Sequence, residues 1–335
     1  LVLERKLVDE VSGWLRVYDD GSVDRTWLGP SEFKFLTDPV PPHEDFIEGV
    51  ATRDVTIDTN LGLRVRIYMP DHSLDDQCKL PTLLHFHGGG FCISQADWYM
   101  YYQMYTKIAR SAQAIVISVY LRLAPENPLP AACDDGFLAL LWLRSLAKGE
   151  LHEPWLNDFA DFNRVFLIGD SAGANLVHEV SSRAGQVDLS PVRLAGGIPV
   201  HPGFFRSVRS NSELEQPETP LLTLVMLDKC IRMALPVGSP EDHPIFCPMG
   251  PAVPTMDSLN IPPFLLCVAE NDLFKDREME YYQAMKKANK DVELLINPGM
   301  GHSFYLNKIA VDMDPHTGAQ TEALIEGIIK FIKRH

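Results

Sequence analysis

Short continuous apolar runs alternate with amphipathic stretches along this chain, and that rhythm narrows the fold more than any other feature. Thr82 to Phe86, Ala114 to Val119, Arg164 to Ile168, Leu194 to Val200, Pro263 to Ala269 and Val292 to Ile296 are runs of strand length. Residues 99 to 112, 131 to 146, 171 to 183, about 276 to 289 and about 318 to 333 have helical character. Strands apolar on both faces need helices on both sides, so the pattern predicts an α/β fold with a mostly parallel sheet. Val55 to Asp58 and Leu63 to Tyr68, separated by a turn at Gly62, alternate in polarity and predict an antiparallel hairpin.

Two stretches break the rhythm. Residues 1–45 have an amphipathic opening, a turn at Asp19-Asp20-Gly21-Ser22 and a Pro-rich exit at Pro39 to Pro42. Residues 204–244 are rich in Glu, Pro and Ser and carry one helical stretch, Leu221 to Met233. The expected organisation is an N-terminal cap segment (1–45), a first part of the core (46–203), a cap insertion (204–244) and a second part of the core (245–335).

Composition bounds the function. With 335 residues and 46% hydrophobic content the chain can bury a large core. A formal charge of −15 repels phosphates and anionic headgroups, which argues against a nucleic-acid partner. No apolar run approaches the roughly 20 residues of a membrane span, and Leu1 to Lys6 mixes charge with too few apolar residues for a signal peptide. The six cysteines are scattered with no CxxC pair, which predicts reduced, structural thiols, and no Asn-x-Ser/Thr sequon occurs. The expected location is the cytoplasm.

Gly169-Asp170-Ser171-Ala172-Gly173 follows one predicted strand and opens the next helix. A nucleophilic serine is presented in this context, because bulk two residues before or after it would clash with the neighbouring strand and helix. His87-Gly88-Gly89-Gly90-Phe91 ends an earlier strand, where glycines let bare N–H groups face a cleft. Gly88 and Gly89, joined by the N–H of Ala172, are the expected oxyanion hole. The competing phosphate-binding reading lacks both a GxGxxG pattern and a Lys-Ser/Thr after the glycines. A serine hydroxyl needs a base, and the base a carboxylate to orient it. Asp272 and the glycine-flanked His302 each lie in a loop after a strand, in the order nucleophile, acid, base. Asp276 competes with Asp272, but Asp272 comes first after its strand, nearer the carboxyl edge of the sheet, and Asp276 reads as a helix cap.

Together with Arg122-Leu123-Ala124-Pro125-Glu126, Pro130-Ala131-Ala132, Asp134-Asp135-Gly136 and Asp242-His243-Pro244, these motifs resemble the hormone-sensitive lipase group of α/β-hydrolases over nearly the whole chain, and within it the plant carboxylesterases. The resemblance implies an α/β-hydrolase fold with an eight-stranded sheet under a helical cap from the N-terminus and an insertion. It also implies a serine carboxylester hydrolase that uses no cofactor and no metal, and a structural role for the Arg122 turn. Leu121 stands where the group often has Tyr, and Ser94-Gln95-Ala96 replaces its usual Gly-Ser, which bears on specificity rather than reaction type. Two other activities exist in the group. Gibberellin receptors resemble an esterase that has lost its base histidine, and His302 stands against that reading. Isoflavanone dehydratases use the scaffold for elimination; the intact Ser171 and Gly88 to Gly90 stand against that one. The expected partner is a small to medium acyl or plant-metabolite ester, held in a pocket walled by Phe91, Trp98, Tyr99, Phe204, Phe205 and Val225, with Trp14 and Phe35 as further candidates.

Overall fold

The computed structural model describes residues 5–72, 78–219, 221–240 and 242–335. Leu1 to Glu4, on which the signal-peptide reading falls, and positions 220 and 241 of the expected insertion lie outside the described residues. Strands β1 (Leu7–Val11), β2 (Leu15–Tyr18) and β3 (Val23–Asp24) pair antiparallel into a small sheet. The large sheet contains β4 (Val50–Asp58), β5 (Leu63–Pro70), β6 (Leu80–Phe86), β7 (Ile115–Val119), β8 (Ala160–Asp170), β9 (Leu194–Val200), β10 (Phe264–Ala269) and β11 (Val292–Asn297). Its order is β11-β10-β9-β8-β6-β7-β5-β4. Strand β5 pairs antiparallel with both of its neighbours, and the remaining pairs are parallel.

The helices are α1 (Tyr99–Ala112), α2 (Ala131–Ala147), α3 (Pro154–Phe159), α4 (Ala172–Ala184), α5 (Asn211–Glu215), α6 (Leu224–Ala234), α7 (Lys275–Lys287), α8 (Lys308–Met313) and α9 (Pro315–Arg334). No described helix is long and apolar enough to cross a membrane. The N-terminal part of the expected helical cap differs: it is the β1–β3 sheet followed by a 3-10 turn, Ser31–Thr37. Gly13 and Gly21, at φ of 77° and 80°, close hairpins only a few residues long, and a helix has no room to form between them. Helix enters this region through the insertion, as α5 and α6.

Chain direction changes sides at β6: the next strand, β7, lies on one flank and β8 on the other. In an open α/β sheet such a switch leaves a crevice at the carboxyl ends of the two central strands. Here Phe86 at the end of β6 pairs with Gly169 near the end of β8, so the glycine run and the serine turn emerge side by side.

Glycines in the middle of β9 make room for aromatic packing. A Cβ on Gly197 would sit 2.5 Å from the Phe264 ring, and one on Gly196 would sit 2.7 Å from the Phe331 ring. Phe264 and Phe331 are fully buried. We expect Gly197→Ala to destabilise the fold by about 1–3 kcal/mol through overpacking, measured by urea unfolding. Adding Phe264→Leu should recover part of the loss; simple additivity of the two would show that this contact is not the cause.

Candidate active site

The serine turn is built from close backbone contacts. Ser171 has φ 52° and ψ −123°, a conformation side-chain-bearing residues rarely adopt. A Cβ on Gly169 would lie 2.3 Å from the Gly173 carbonyl oxygen, and one on Gly173 would lie 2.0 Å from the Phe86 carbonyl oxygen. Only glycine at both positions lets α4 start this close to β6. The turn is tied down by the Ser171 N–H, which donates to the Val200 carbonyl at 3.0 Å, and by the Gly203 N–H, which donates to the Ser171 carbonyl at 3.3 Å.

Three side chains from separate loops meet here. His302 Nε2 lies 2.9 Å from Ser171 Oγ, and His302 Nδ1 lies 2.7 Å from Asp272 Oδ2. Asp272 is fully buried, and its Oδ1 accepts the Phe274 N–H at 3.0 Å. With Nδ1–H donating to the carboxylate, the Nε2 lone pair is left for the serine hydroxyl. Asp276 is directed elsewhere: its Oδ2 accepts the Ser212 N–H at 2.8 Å, near the start of α5 rather than of its own helix.

Gly88 packs against the serine, where a Cβ would stand 3.1 Å from Ser171 Cβ. Gly89, at φ 96°, lines the cavity above with Gly90 and Ser171. Ala172 is the first residue of α4, so its N–H has no acceptor within the helix. Behind this loop the buried Asp170 lies 3.2 Å from His85 Nε2, whose Nδ1 is 2.7 Å from Ser118 Oγ. Arg122 is engaged by Asp135, which accepts its N–H and its Nε–H, both at 2.8 Å.

Ser171 and His302 open on a cavity of about 400 Å³. Its walls include Val11, Trp14 and Leu36 from the N-terminal region, Met226 and Cys230 from α6, and Leu306 from the C-terminal region. No Lys or Arg lines it among the described residues.

None of the six expected wall residues lines this cavity. Phe204 and Phe205 are buried against Tyr281 and Phe246, with ring centroids 4.7 Å apart in both cases. Phe91 also packs on Phe246, at 5.7 Å. Trp98 stands one layer back, stacked on Trp14 at 6.1 Å, and Tyr99 pairs with Phe35 at 5.7 Å. Val225 is 65% exposed on the outer face of α6, whereas Met226, Leu227 and Cys230 face inward. Their spacing along the helix carried that signal.

The sheet and the side chains gathered at its edge have the plan of an α/β-hydrolase. A family model described as alpha/beta hydrolase fold matches residues 83–306. Probable carboxylesterase 6 of Arabidopsis thaliana is 37% identical, covering 90% of this chain and 85% of its own length. A 2-hydroxyisoflavanone dehydratase of Glycyrrhiza echinata is 35% identical over 89% of each chain. Among solved structures, EstE1, a thermostable carboxylesterase cloned from a metagenomic library, matches with a TM-score of 0.68 at 27% identity, covering 84% of this chain and 88% of that one. The chain belongs to the alpha/beta hydrolase fold family.

A second buried carboxyl sits close to Asp272. Glu278 on α7 is fully buried, and neither of its oxygens has a hydrogen-bond partner. Burial, reinforced by the Asp272 charge, holds its carboxyl well above the usual carboxylate range. Its contribution to stability is therefore present below the unfolded-state carboxyl pKa and is lost as pH rises through the higher folded-state value. We expect Glu278→Gln to unfold at nearly the wild-type temperature near pH 4 and to become progressively more stable than wild type as pH rises to 8. A difference independent of pH in thermal scans would show that the carboxyl is not held neutral.

Proposed function

We propose that this protein is a serine carboxylester hydrolase in which Ser171 is the nucleophile, His302 the base and Asp272 the orienting acid. The unbroken hydrogen-bonded line from Asp272 through His302 to Ser171, at the floor of a cavity, carries this reading. Ser171 Oγ attacks the ester carbonyl while His302 Nε2 takes its proton. The N–H groups of Gly88, Gly89 and Ala172 stabilise the oxyanion. His302 returns the proton to the leaving alcohol, giving an acyl-serine; water, deprotonated by the same imidazole, then releases the acid and restores the hydroxyl. Every proton in the cycle is handled by His302, so the residues at the site suffice for the chemistry. The substrate is a small to medium ester whose bound part is largely apolar, in keeping with the cavity walls.

We assign residues 1–45 and 204–244 to a cap over the site, supported by the presence of both stretches in the cavity wall. The ion pair between Asp9 of β1 and Lys229 of α6, at 3.1 Å, joins the two. All six cysteines are free, which fits a reducing compartment and supports a cytoplasmic location. Likeness to a named dehydratase favours one second reading, elimination at the same site. Product analysis separates the two, since only hydrolysis of a simple ester releases both alcohol and acid.

With p-nitrophenyl acetate, Ser171→Ala should lower kcat by about 10⁶, and Asp272→Asn by about 10⁴ through the wrong imidazole tautomer. A fluorophosphonate probe should label Ser171, as located by peptide mapping. Wild-type turnover by Ser171→Ala, or label on another residue, would contradict the mechanism.

A further inference from the structure

We propose that the imidazole of His201 is a positioning group that holds the base loop in register with the serine turn, an inference that rests on the serine hydrolase reading above. His201 follows β9, is fully buried and has a φ of 48°. Its backbone N–H donates to the Cys267 carbonyl at 2.9 Å. The turn it belongs to touches both halves of the site. On one side lie the contacts of Val200 and Gly203 with the Ser171 backbone described above. On the other, the Ser303 N–H donates to His201 Nδ1 at 3.0 Å.

Ser303 is the residue next to His302 and is itself left-handed, at φ 50° and ψ 33°. The loop before it contains Gly299 and Gly301 and so has little intrinsic preference for one path. Two ties hold it upstream of His302: the Gly299 N–H donates to Glu270 Oε2 at 2.7 Å, and the Asn271 N–H donates to the Met300 carbonyl at 2.8 Å. His201 supplies the anchor downstream. One four-residue turn, 200–203, thereby sets the nucleophile and the base relative to each other.

The ring is suited to that role. A nitrogen of His201, a nitrogen of His302 and a carboxylate oxygen of Asp272 lie within 4.8 Å of one another. Because Nδ1 accepts from Ser303, the neutral ring carries its proton on Nε2, which is buried without a partner. Burial pushes the His201 pKa down to about 3, so no second cation opposes the imidazolium that forms at His302 during turnover. Phe304 and Tyr305 pack on the ring at 5.8 and 5.6 Å and fix its orientation.

His201→Phe, His201→Leu and His201→Asn test this, because Asn Oδ1 can accept the Ser303 N–H and the other two side chains cannot. Each variant is followed by p-nitrophenyl acetate kinetics, by the rate of fluorophosphonate labelling, and by the low-field proton resonance of the His302–Asp272 hydrogen bond. Displacing the base should lower kcat about 100-fold in the Phe and Leu variants with KM within about threefold, since small misplacements of reacting groups cost rates of that order. Labelling should slow in parallel and the low-field resonance should be lost. The Asn variant should recover at least about tenfold of the lost kcat. Leu adds no bulk, so it preserves the comparison if the Phe variant does not fold. Wild-type labelling and turnover by either acceptor-free variant, or an Asn variant as slow as they are, overturns the role of His201. Failure of the wild-type protein to take label at Ser171 overturns the hydrolase reading instead, and is seen before any variant is made.

Discussion

The contact on which the site depends is the approach of the first turn of α4 to the end of β6, where no atom beyond the glycine backbone fits between Gly173 and the Phe86 carbonyl. That approach brings Ser171 up beside the glycine run and holds its backbone at a positive φ. The strain is local, and the hydrogen bonds of the Ser171 N–H to the Val200 carbonyl and of the Gly203 N–H to the Ser171 carbonyl, together with the burial of β8, keep it in place. Once the serine stands there, the parallel register of β8, β9 and β10 decides which other loops can reach it, and these are the loops carrying Asp272 and, one strand further out, His302.

Around that centre the protein arranges buried polar groups in two layers. His302, in contact with the serine, and Asp272 behind it form one layer. Asp170, His85 and Ser118 form a second one behind the glycine loop, and His85 is held below its ordinary pKa by burial despite the Asp170 carboxylate beside it. Burial likewise keeps the interior imidazoles of His87, His178 and His201 neutral.

Much of this was legible in the sequence because it is written locally. The central strands are continuous apolar runs, the large helices keep their period, and the glycines around Ser171 and after His87 mark backbone that side chains would obstruct. The order Ser171, Asp272, His302 needed only the strands to be counted. The cavity wall was not legible in the same way, since it depends on which face of an element turns inward. Val225 and Met226 are neighbours in sequence, yet one points to solvent and the other to the cavity. Phe204 and Phe205 looked like wall residues but found aromatic partners deeper in the core. The N-terminal sheet was missed because its strands are too short to set a period. His201 was missed because its partner is a backbone N–H 102 positions away.

Part of the cavity wall comes from lengths of chain that the eight-stranded sheet does not need for its own closure. Val11, Trp14 and Leu36 precede the sheet altogether, and Met226 and Cys230 belong to an excursion between two of its strands. These residues lie outside the loops that carry Ser171, Asp272 and His302, so the cavity can be reshaped there while the hydrogen-bonded line between those three stays in place.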